Sequence, residues 1–404
     1  MLACFATKTV KTTRTSSYPA LSVVVAQLTD AGANLTLIVP DGRRIPVGAD
    51  AGRATVVFRT KRAAAYFARQ DHFALAEAYL EQQIDLQGDW NEIMKWTDVI
   101  DISARWSERV RLWLRLILTD RIRYDRESIA FHYDRPAEFF LPWFGRWRSY
   151  SHGIYESPED RLSDAEARKM QFATEALDLK PGMEVLDMGA GWGCFVEFAG
   201  MQGISVRAIT ISQEQFRFVS ELIRVKKLPC SVELVNFFDY RPGKRFDAAV
   251  FMGTFEHVPE YARVAKFLTE HLKPGGRVYA DFCAQSHDTT LGRFMKKHIW
   301  PGAIRYVSVQ KLVSDLLGAG FNVYELRDDT LSYAYTVRDW GDALEAQREA
   351  LAARWGESTL RAFLLFLRGS YYFLTRNKTQ AYRLVAGLGP ARLPNTSQAP
   401  PRLG

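Results

Sequence analysis

The sequence predicts an α/β protein, with a class of fold built on a doubly wound parallel sheet, preceded by a small α+β domain and followed by C-terminal helices. Three observations predict it. From residue 165 onward, short apolar runs of strand length alternate with helix-length segments, as βαβ units closing into a parallel sheet require. One of those runs ends in an aspartate and a glycine-rich turn, VLDMGAGWG at 185–193. The first hundred residues instead mix short strand-like runs, turns and helical stretches, which sets them apart as a separate small domain.

In chain order, residues 1–18 are rich in Thr, Ser and Lys and are expected to be disordered. Strand-like runs at 35–39 and 54–58 flank the turn Pro40-Asp41-Gly42, and 61–96 reads as helices broken around Asp71 and near Gly88. These define an N-terminal domain over 19–100. Residues 101–130 are expected to form a basic amphipathic helix and linker. There Trp106, Val110, Trp113, Leu114 and Ile117 recur at spacings of three and four, and Arg105, Arg109, Arg111, Arg115, Arg121 and Arg123 add positive charge. Such a helix suits a membrane interface, where Arg meets phosphate and Trp sits at headgroup depth. It suits rather better an interdomain helix packing its apolar stripe on a core. The sheet domain is assigned to 131–387, with strands expected at 184–188, 206–211, 232–237, 246–252 and 277–283. A final antiparallel pair is expected at 321–327 and 330–337, and helices over 341–387. The Pro-containing tail, 388–404, is expected to be disordered.

Bulk properties bound the function. At 404 residues, 47% hydrophobic and 25% charged, the chain has material for two or three ordinary globular domains. A net charge of +7 favours acidic partners but does not choose between nucleic acid and an anionic membrane. Cys4, Cys194, Cys230 and Cys283 have neither zinc-ligand nor CxxC spacing, so no metal site and no disulfide framework are expected. No apolar run reaches the roughly 20 residues that span a bilayer, and the N-terminus lacks the apolar core of a secretory signal. A cytoplasmic protein, peripheral to the inner face of the membrane, is the resulting expectation.

The glycine turn carries the chemistry. Gly189, Gly191 and Gly193 let backbone pass close to a ligand. Asp187 ends the strand where open α/β sheets bind their ligands. The spacing is GxGxG rather than GxGxxG, which favours a nucleoside sulfonium, S-adenosylmethionine, over a pyrophosphate. The second strand ends in ITISQEQ at 209–215, offering Thr210, Ser212 and Gln215 to ribose hydroxyls. After the third strand, Asp239 is placed to accept from an adenine amino group. Each of these, taken singly, is also an ordinary helix-cap or loop polar group.

Several ordered strings then resemble the cyclopropane-fatty-acyl-phospholipid synthases, close to the mycolic-acid cyclopropane synthases. They are FHYDRPAEFF (131–140), RSYSHGIYE (148–156), VLDMGAGWG (185–193), ITISQEQ (209–215), FDAAVFMGTFEHV (246–258), LKPGGR (272–277) and YAYTVRDW (333–340). The similarity covers roughly 125–385 and extends more weakly into the N-terminal domain through 75–90. It implies a class I methyltransferase domain behind an N-terminal lipid-associated domain. It implies cofactor contacts from Tyr150, Ser151, the three glycines, Thr210 and Gln215. The implied substrate is a cis-unsaturated acyl chain on a membrane phospholipid. The alkene takes the methyl of S-adenosylmethionine, and a carbocation closes to a ring as a bound bicarbonate removes a proton. Such chemistry needs water excluded and both reactants aligned, with negative charge or aromatic faces near the cation. Glu256 matches the family's bicarbonate-holding Glu, and Tyr333 an aromatic hydroxyl of the same site.

Two positions depart from the family. His152 stands where Cys is usual, and Asp281 where His is usual, with Cys283 two residues on. The sharpest expectation is a His152–Asp281 pair replacing bicarbonate as the base; the plain alternative has both hydrogen-bonding at the rim. Proton loss elsewhere gives a methyl-branched or methylated unsaturated chain instead of a ring. A soluble small-molecule methyltransferase and a non-catalytic lipid-binding protein are the remaining alternatives. Nucleic acid is not an expected partner, because Met252-Gly253-Thr254-Phe255 stands where base methyltransferases often carry Asn/Asp-Pro-Pro-aromatic. A homodimer is left open.

Overall fold

The computed structural model describes residues 19–99, 135–258, 260–285, 292–300 and 305–389. The expectations for 1–18, for the helix within 101–130 and for the tail beyond 389 lie outside the described residues. The chain forms two compact units, one within the first 105 residues and one from residue 106 on.

The first unit runs α1 (Pro19–Asp30), β1 (Leu35–Ile38), β2 (Arg44–Val47), β3 (Ala54–Phe58), α2 (Lys61–Ala68), α3 (His72–Leu80), β4 (Ile84–Gly88), α4 (Trp90–Met94) and α5 (Trp96–Val99). Its sheet has the order β2-β1-β3-β4, with β1 parallel to β3 and the other pairs antiparallel. Thr60 and Asp71 cap α2 and α3 by accepting from the Ala63 and Ala74 amides, which explains why the helical stretch breaks at Asp71. The sequence reading has neither α1 nor β2, and it places β4 inside a helical stretch.

The second unit runs α6 (Ala137–Phe140), α7 (Leu162–Ala176), β5 (Glu184–Asp187), α8 (Cys194–Gly200), β6 (Ser205–Thr210), α9 (Gln213–Lys226), β7 (Ser231–Leu234), β8 (Phe246–Met252), α10 (Tyr261–His271) and β9 (Leu272–Ala284). It continues with α11 (Val309–Gly318), β10 (Phe321–Asp328), α12 (Thr330–Ala346), α13 (Arg348–Trp355), α14 (Glu357–Thr375) and β11 (Gln380–Leu388). The sheet order is β10-β11-β9-β8-β5-β6-β7. Strands β5 to β9 are mutually parallel, while β11 is antiparallel to both of its neighbours. The chain builds outward from β5 through β6 and β7, then returns to β8 on the other side of β5. That reversal is the switch point beyond whose strand ends ligands bind.

Both faces of the sheet are buried, and this is why its strands read as continuous apolar runs. Along β8, Ala249 and Phe251 enter one core with Leu186, Val264 and Phe282. Ala248 and Val250 enter the other with Val185, Phe195 and Tyr279. The alternation follows the two-residue period of a strand.

The expected final strand pair needs correction. Residues 330–337 are not a strand but the start of α12. Asp328 Oδ1 accepts from the Thr330 amide at 2.8 Å, and the Thr336 hydroxyl donates to the Ser332 carbonyl at 2.8 Å. These local bonds satisfy the helix in a segment whose β-branched and aromatic residues favour a strand. The true partner of β10 is β11, inside the stretch read as helical. Five consecutive residues of β11 are buried, so it lacks the alternation that marks a half-exposed strand. Among the described residues, no helix is long and apolar enough to cross a membrane.

Candidate active site

The glycine turn lies at the C-terminal end of β5. Gly189 adopts φ 152°, and a Cβ there would sit 2.6 Å from the Thr254 hydroxyl. Gly191, at φ 49°, has nothing closer to its Cβ position than the Gly189 carbonyl at 3.8 Å. The turn is therefore walled on the β8 side and open above, a cradle that suits a nucleoside passing over bare backbone. Gly193 begins α8. Asp187 is buried at the strand's end, and burial pushes its carboxyl up to about 7.

At the end of β6, Thr210 donates its hydroxyl to Gln215 Oε1 at 2.7 Å. Ser212 caps α9 by accepting from the Gln215 amide at 3.3 Å. The expected ribose-side residues are thus brought together on the same edge as Asp187, with the Thr210 hydroxyl committed to Gln215. Asp239 ends the 3-10 turn Phe237–Asp239 and is exposed.

The loop carrying Tyr150 and Ser151 is fastened from below. Arg148 takes a left-handed conformation at φ 59°, unusual for a residue with a side chain. It donates to the Trp192 carbonyl at 3.2 Å and pairs with the buried Glu197. Glu197 also meets Arg146 at 3.0 Å and Lys226 at 2.6 Å. Burial pushes its carboxyl up, but the hydrogen bonds from these three cations outweigh burial and hold it at about 2. Glu166 on α7 accepts from the Trp147 and Ser149 amides at 3.0 and 3.1 Å; burial raises it to about 7 against those bonds. Lys169, one turn along, is fully buried. It donates to the Ser149 and Ser151 hydroxyls at 2.8 and 2.7 Å and pairs with Asp281 Oδ2 at 3.4 Å.

An apolar cavity opens beside this loop. Its lining includes Tyr150, Glu256, Cys283, Tyr333 and Trp340, together with Met295, Trp300, Phe366, Phe373 and Leu374. It encloses about 820 Å³ of empty space, its open mouth included. Glu256 reaches its wall from the 3-10 turn Phe255–His257 that follows β8. Its Oε1 accepts from the Cys283 amide at 2.7 Å, while Oε2 has no hydrogen-bond partner among the described residues. Burial pushes this carboxyl up to about 8, and the charge of Asp281 adds to the effect. Burial also lowers the neighbouring His257 to about 4, so its imidazole is neutral at physiological pH. Tyr333 projects from α12, its phenol pushed well above its usual range by burial.

The structure corrects the expected His152–Asp281 pair. His152 Nε2 meets Asp329 Oδ2 at 3.2 Å, and its ring lies 5.3 Å from that of Tyr333. Asp281 instead turns to the α7 side of the sheet, toward Lys169 and the Tyr279 hydroxyl at 3.4 Å. The two side chains are claimed by different partners, Asp281 by the Lys169 ammonium on α7 and His152 by the Asp329 carboxylate just before α12. Lys169, Glu166, Glu197 and Asp329 were not singled out from sequence. Asp329 immediately precedes α12, a cap position hidden as long as 330–337 reads as a strand.

With this geometry in place, comparison with known proteins adds the following. Residues 120–384 match the family described as mycolic acid cyclopropane synthetase. A probable fatty acid methyltransferase of Pseudomonas putida is 26% identical over 366 residues, covering 87% of this chain and 91% of that protein. Sphingolipid C9-methyltransferase B of Emericella nidulans is 26% identical over 328 residues, covering 77% of this chain and 64% of that protein's length. The solved structure of mycolic acid cyclopropane synthase CmaA1, complexed with SAH and CTAB, aligns at a TM-score of 0.61 and 22% identity. The alignment covers 65% of this chain and 98% of the other.

Proposed function

The chain belongs to the mycolic acid cyclopropane synthetase family and has its class I methyltransferase fold, and from that premise we propose that it transfers a methyl group from S-adenosylmethionine to the cis double bond of an unsaturated phospholipid acyl chain, closing a cyclopropane. One observation carries this reading: an apolar, aromatic-walled cavity has Tyr150 of the cofactor-side loop and the carboxyl of Glu256 in the same lining.

The residues fit the donor. Gly189, Gly191 and Gly193 would pass beneath the nucleoside. Asp187, Thr210, Gln215 and Asp239 would hold it from the strand ends, and Tyr150 and Ser151 from the loop. When bound, the donor supplies an electrophilic methyl on a sulfonium. The chain's own part is to keep water from an alkene that is a poor nucleophile, to align the two, and to face the resulting cation with aromatic rings. Tyr150, Tyr333, Trp300 and Trp340 supply those faces.

Bicarbonate fits less well. Asp281 replaces the family's His, and its charge already bears on Glu256. Asp281 is turned to Lys169 and is not in the cavity lining, so the side chain that would have faced a bicarbonate is missing there, and we read the proton acceptor as a group of the protein. Departures at His152 and Asp281 also support a second reading, methylation without ring closure, since the position of the acceptor decides which proton leaves.

Lipid analysis of cells expressing the chain tests both. A gain of about 14 mass units on an unsaturated acyl chain reports one added CH2. Survival of that species through mild hydrogenation identifies the ring, and reduction identifies a methylated alkene. Unchanged lipids in cells that accumulate the folded protein would remove the acyl chain as substrate.

A further inference from the structure

Lys169 and Asp281 carry opposite charges into the core, and neither lines the cavity. Their side chains are fully buried and 3.4 Å apart. Such a pair adds little net stability, because desolvation of two ions offsets their attraction. Asp281 Oδ1 has no hydrogen-bond partner among the described residues, which makes the carboxylate costlier still where it stands. An ammonium has three donors. Those of Lys169 meet the Ser149 and Ser151 hydroxyls at 2.8 and 2.7 Å and Asp281 Oδ2.

The two serines flank Tyr150. The Ser149 hydroxyl also donates to the Ser151 carbonyl at 3.1 Å, which closes the chain around Tyr150. Glu166, three residues before Lys169 and so on the same face of α7, accepts from the Ser149 amide at 3.1 Å. Ser151 also abuts Gly253, where a Cβ would come 3.1 Å from its own. The Gly253 amide in turn donates to the Asp281 carbonyl at 3.1 Å. Asp281 therefore reaches the loop twice, through its carboxylate and Lys169 and through its carbonyl and Gly253. Tyr150, held between the serines, lines the cavity. Its ring centroid lies 5.5 Å from that of Trp340 and 5.0 Å from that of Phe144.

Resting on the functional reading above, we propose that Lys169, anchored by Asp281, is a positioning residue whose ammonium grips the serines on either side of Tyr150 and so fixes that ring at the cavity wall. Apolar residues of the same volume would fill the space under the loop without selecting one arrangement of it, whereas a charge with directed partners selects one. The place matters for the reaction, because a misplacement of about 1 Å near the reacting groups can cost about 100-fold in rate.

The test uses the full chain with 3-fluorotyrosine placed at position 150 alone. Lys169→Met combined with Asp281→Leu removes both charges and keeps the volume, a replacement that buried pairs often tolerate without loss of stability. In this double variant the 19F signal of Tyr150 should shift or split. A label placed instead at Tyr324, exposed on the edge strand β10, should not move. Affinity for S-adenosylmethionine, by calorimetric titration, and turnover on vesicles of cis-unsaturated phospholipid should each fall about tenfold or more. Ser149→Ala leaves the ion pair in place and should lower both by less. Adding it to the double variant should bring no further loss, because the two changes act through one loop. An unmoved Tyr150 signal, wild-type turnover in the double variant, movement of both labels or additive losses would each overturn the proposal. If the double variant does not fold, Ser149→Ala decides: wild-type turnover overturns the proposal and reduced turnover upholds it. The 19F signal is read without cofactor or substrate. A wild-type chain that binds no S-adenosylmethionine or methylates no lipid therefore counts against the functional reading, while the signal still judges the loop.

Discussion

Glu256, Asp187 and Glu166 share one condition. Burial pushes their carboxyls up to about 8, about 7 and about 7. Each therefore holds a proton in the folded chain at pH values where the unfolded chain has lost it. The stability this contributes is complete below the unfolded value, 4.5 for Glu256, and is lost as pH rises through the folded value. Glu197 and Asp329 have the opposite sign, since both are held low in the fold. Their contribution is present above the ordinary carboxylate range and disappears in acid. Glu256→Gln isolates one member of the first group, because the amide oxygen still accepts from the Cys283 amide but no longer titrates. Between about pH 5 and pH 9 the melting temperature of the wild type should fall more steeply than that of Glu256→Gln, the two curves converging toward the acid end. Curves that stay parallel across the range would show that Glu256 is ionised in the fold at neutral pH.

At the scale of elements, the turn from β5 into α8 offers a comparison between two glycines. A methyl on Gly189 would meet the Thr254 hydroxyl at 2.6 Å, too close for either group, whereas at Gly320, φ 87°, nothing lies within 4 Å. Both substitutions strain the backbone, but only the first also crowds the cradle. Gly189→Ala should cost about 1–3 kcal/mol by overpacking and weaken S-adenosylmethionine binding about tenfold or more, since each ~1.4 kcal/mol is a factor of ten. Gly320→Ala should lower the melting point and leave the affinity alone. Calorimetric titration of the two variants decides it, and equal affinities would place the nucleoside elsewhere. This turn was legible because an apolar strand, an aspartate and closely spaced glycines are all local signals. The same holds for β6 and β8, whose limits the sequence reading matches to within a residue. Strand β11 and helix α12 were not legible. In α12, Thr330, Tyr333, Tyr335, Thr336 and Val337 carry strand propensity that tertiary packing overrides. In β11, burial on both faces removes the period that would have revealed it. The His152–Asp329 contact depends on the placement of both elements, so it was hidden for the same reason, while Tyr150, Glu256 and Tyr333 share a cavity that short motifs could suggest.

For the whole molecule, the proposed substrate sets a question of access, since an acyl chain held in a bilayer would have to reach the cavity that Glu256 lines. The chain carries 53 Lys and Arg against 46 Asp and Glu, a net charge of +7. Six of the arginines fall between positions 105 and 123, spaced among tryptophans and aliphatics. Near an anionic surface each such cation contributes about 1 kcal/mol, and the attraction is screened over about 10 Å at 0.1 M salt and about 3 Å at 1 M. If the enzyme meets its substrate in the membrane, the full chain should co-sediment with vesicles of cis-unsaturated phosphatidylglycerol. It should do so far less with phosphatidylcholine bearing the same acyl chains, and salt should release it. Replacing Arg105, Arg109, Arg111 and Arg115 by Gln removes four charges and should weaken binding to the anionic vesicles at least tenfold. Affinity for S-adenosylmethionine should not change, because the glycine turn and its partners lie between 150 and 256. Binding that ignores both headgroup and salt would mean that apolar contacts alone bring the protein to lipid. No binding under any of these conditions would point the cavity toward a soluble acceptor, since a chain anchored in a bilayer would then have no route to Glu256.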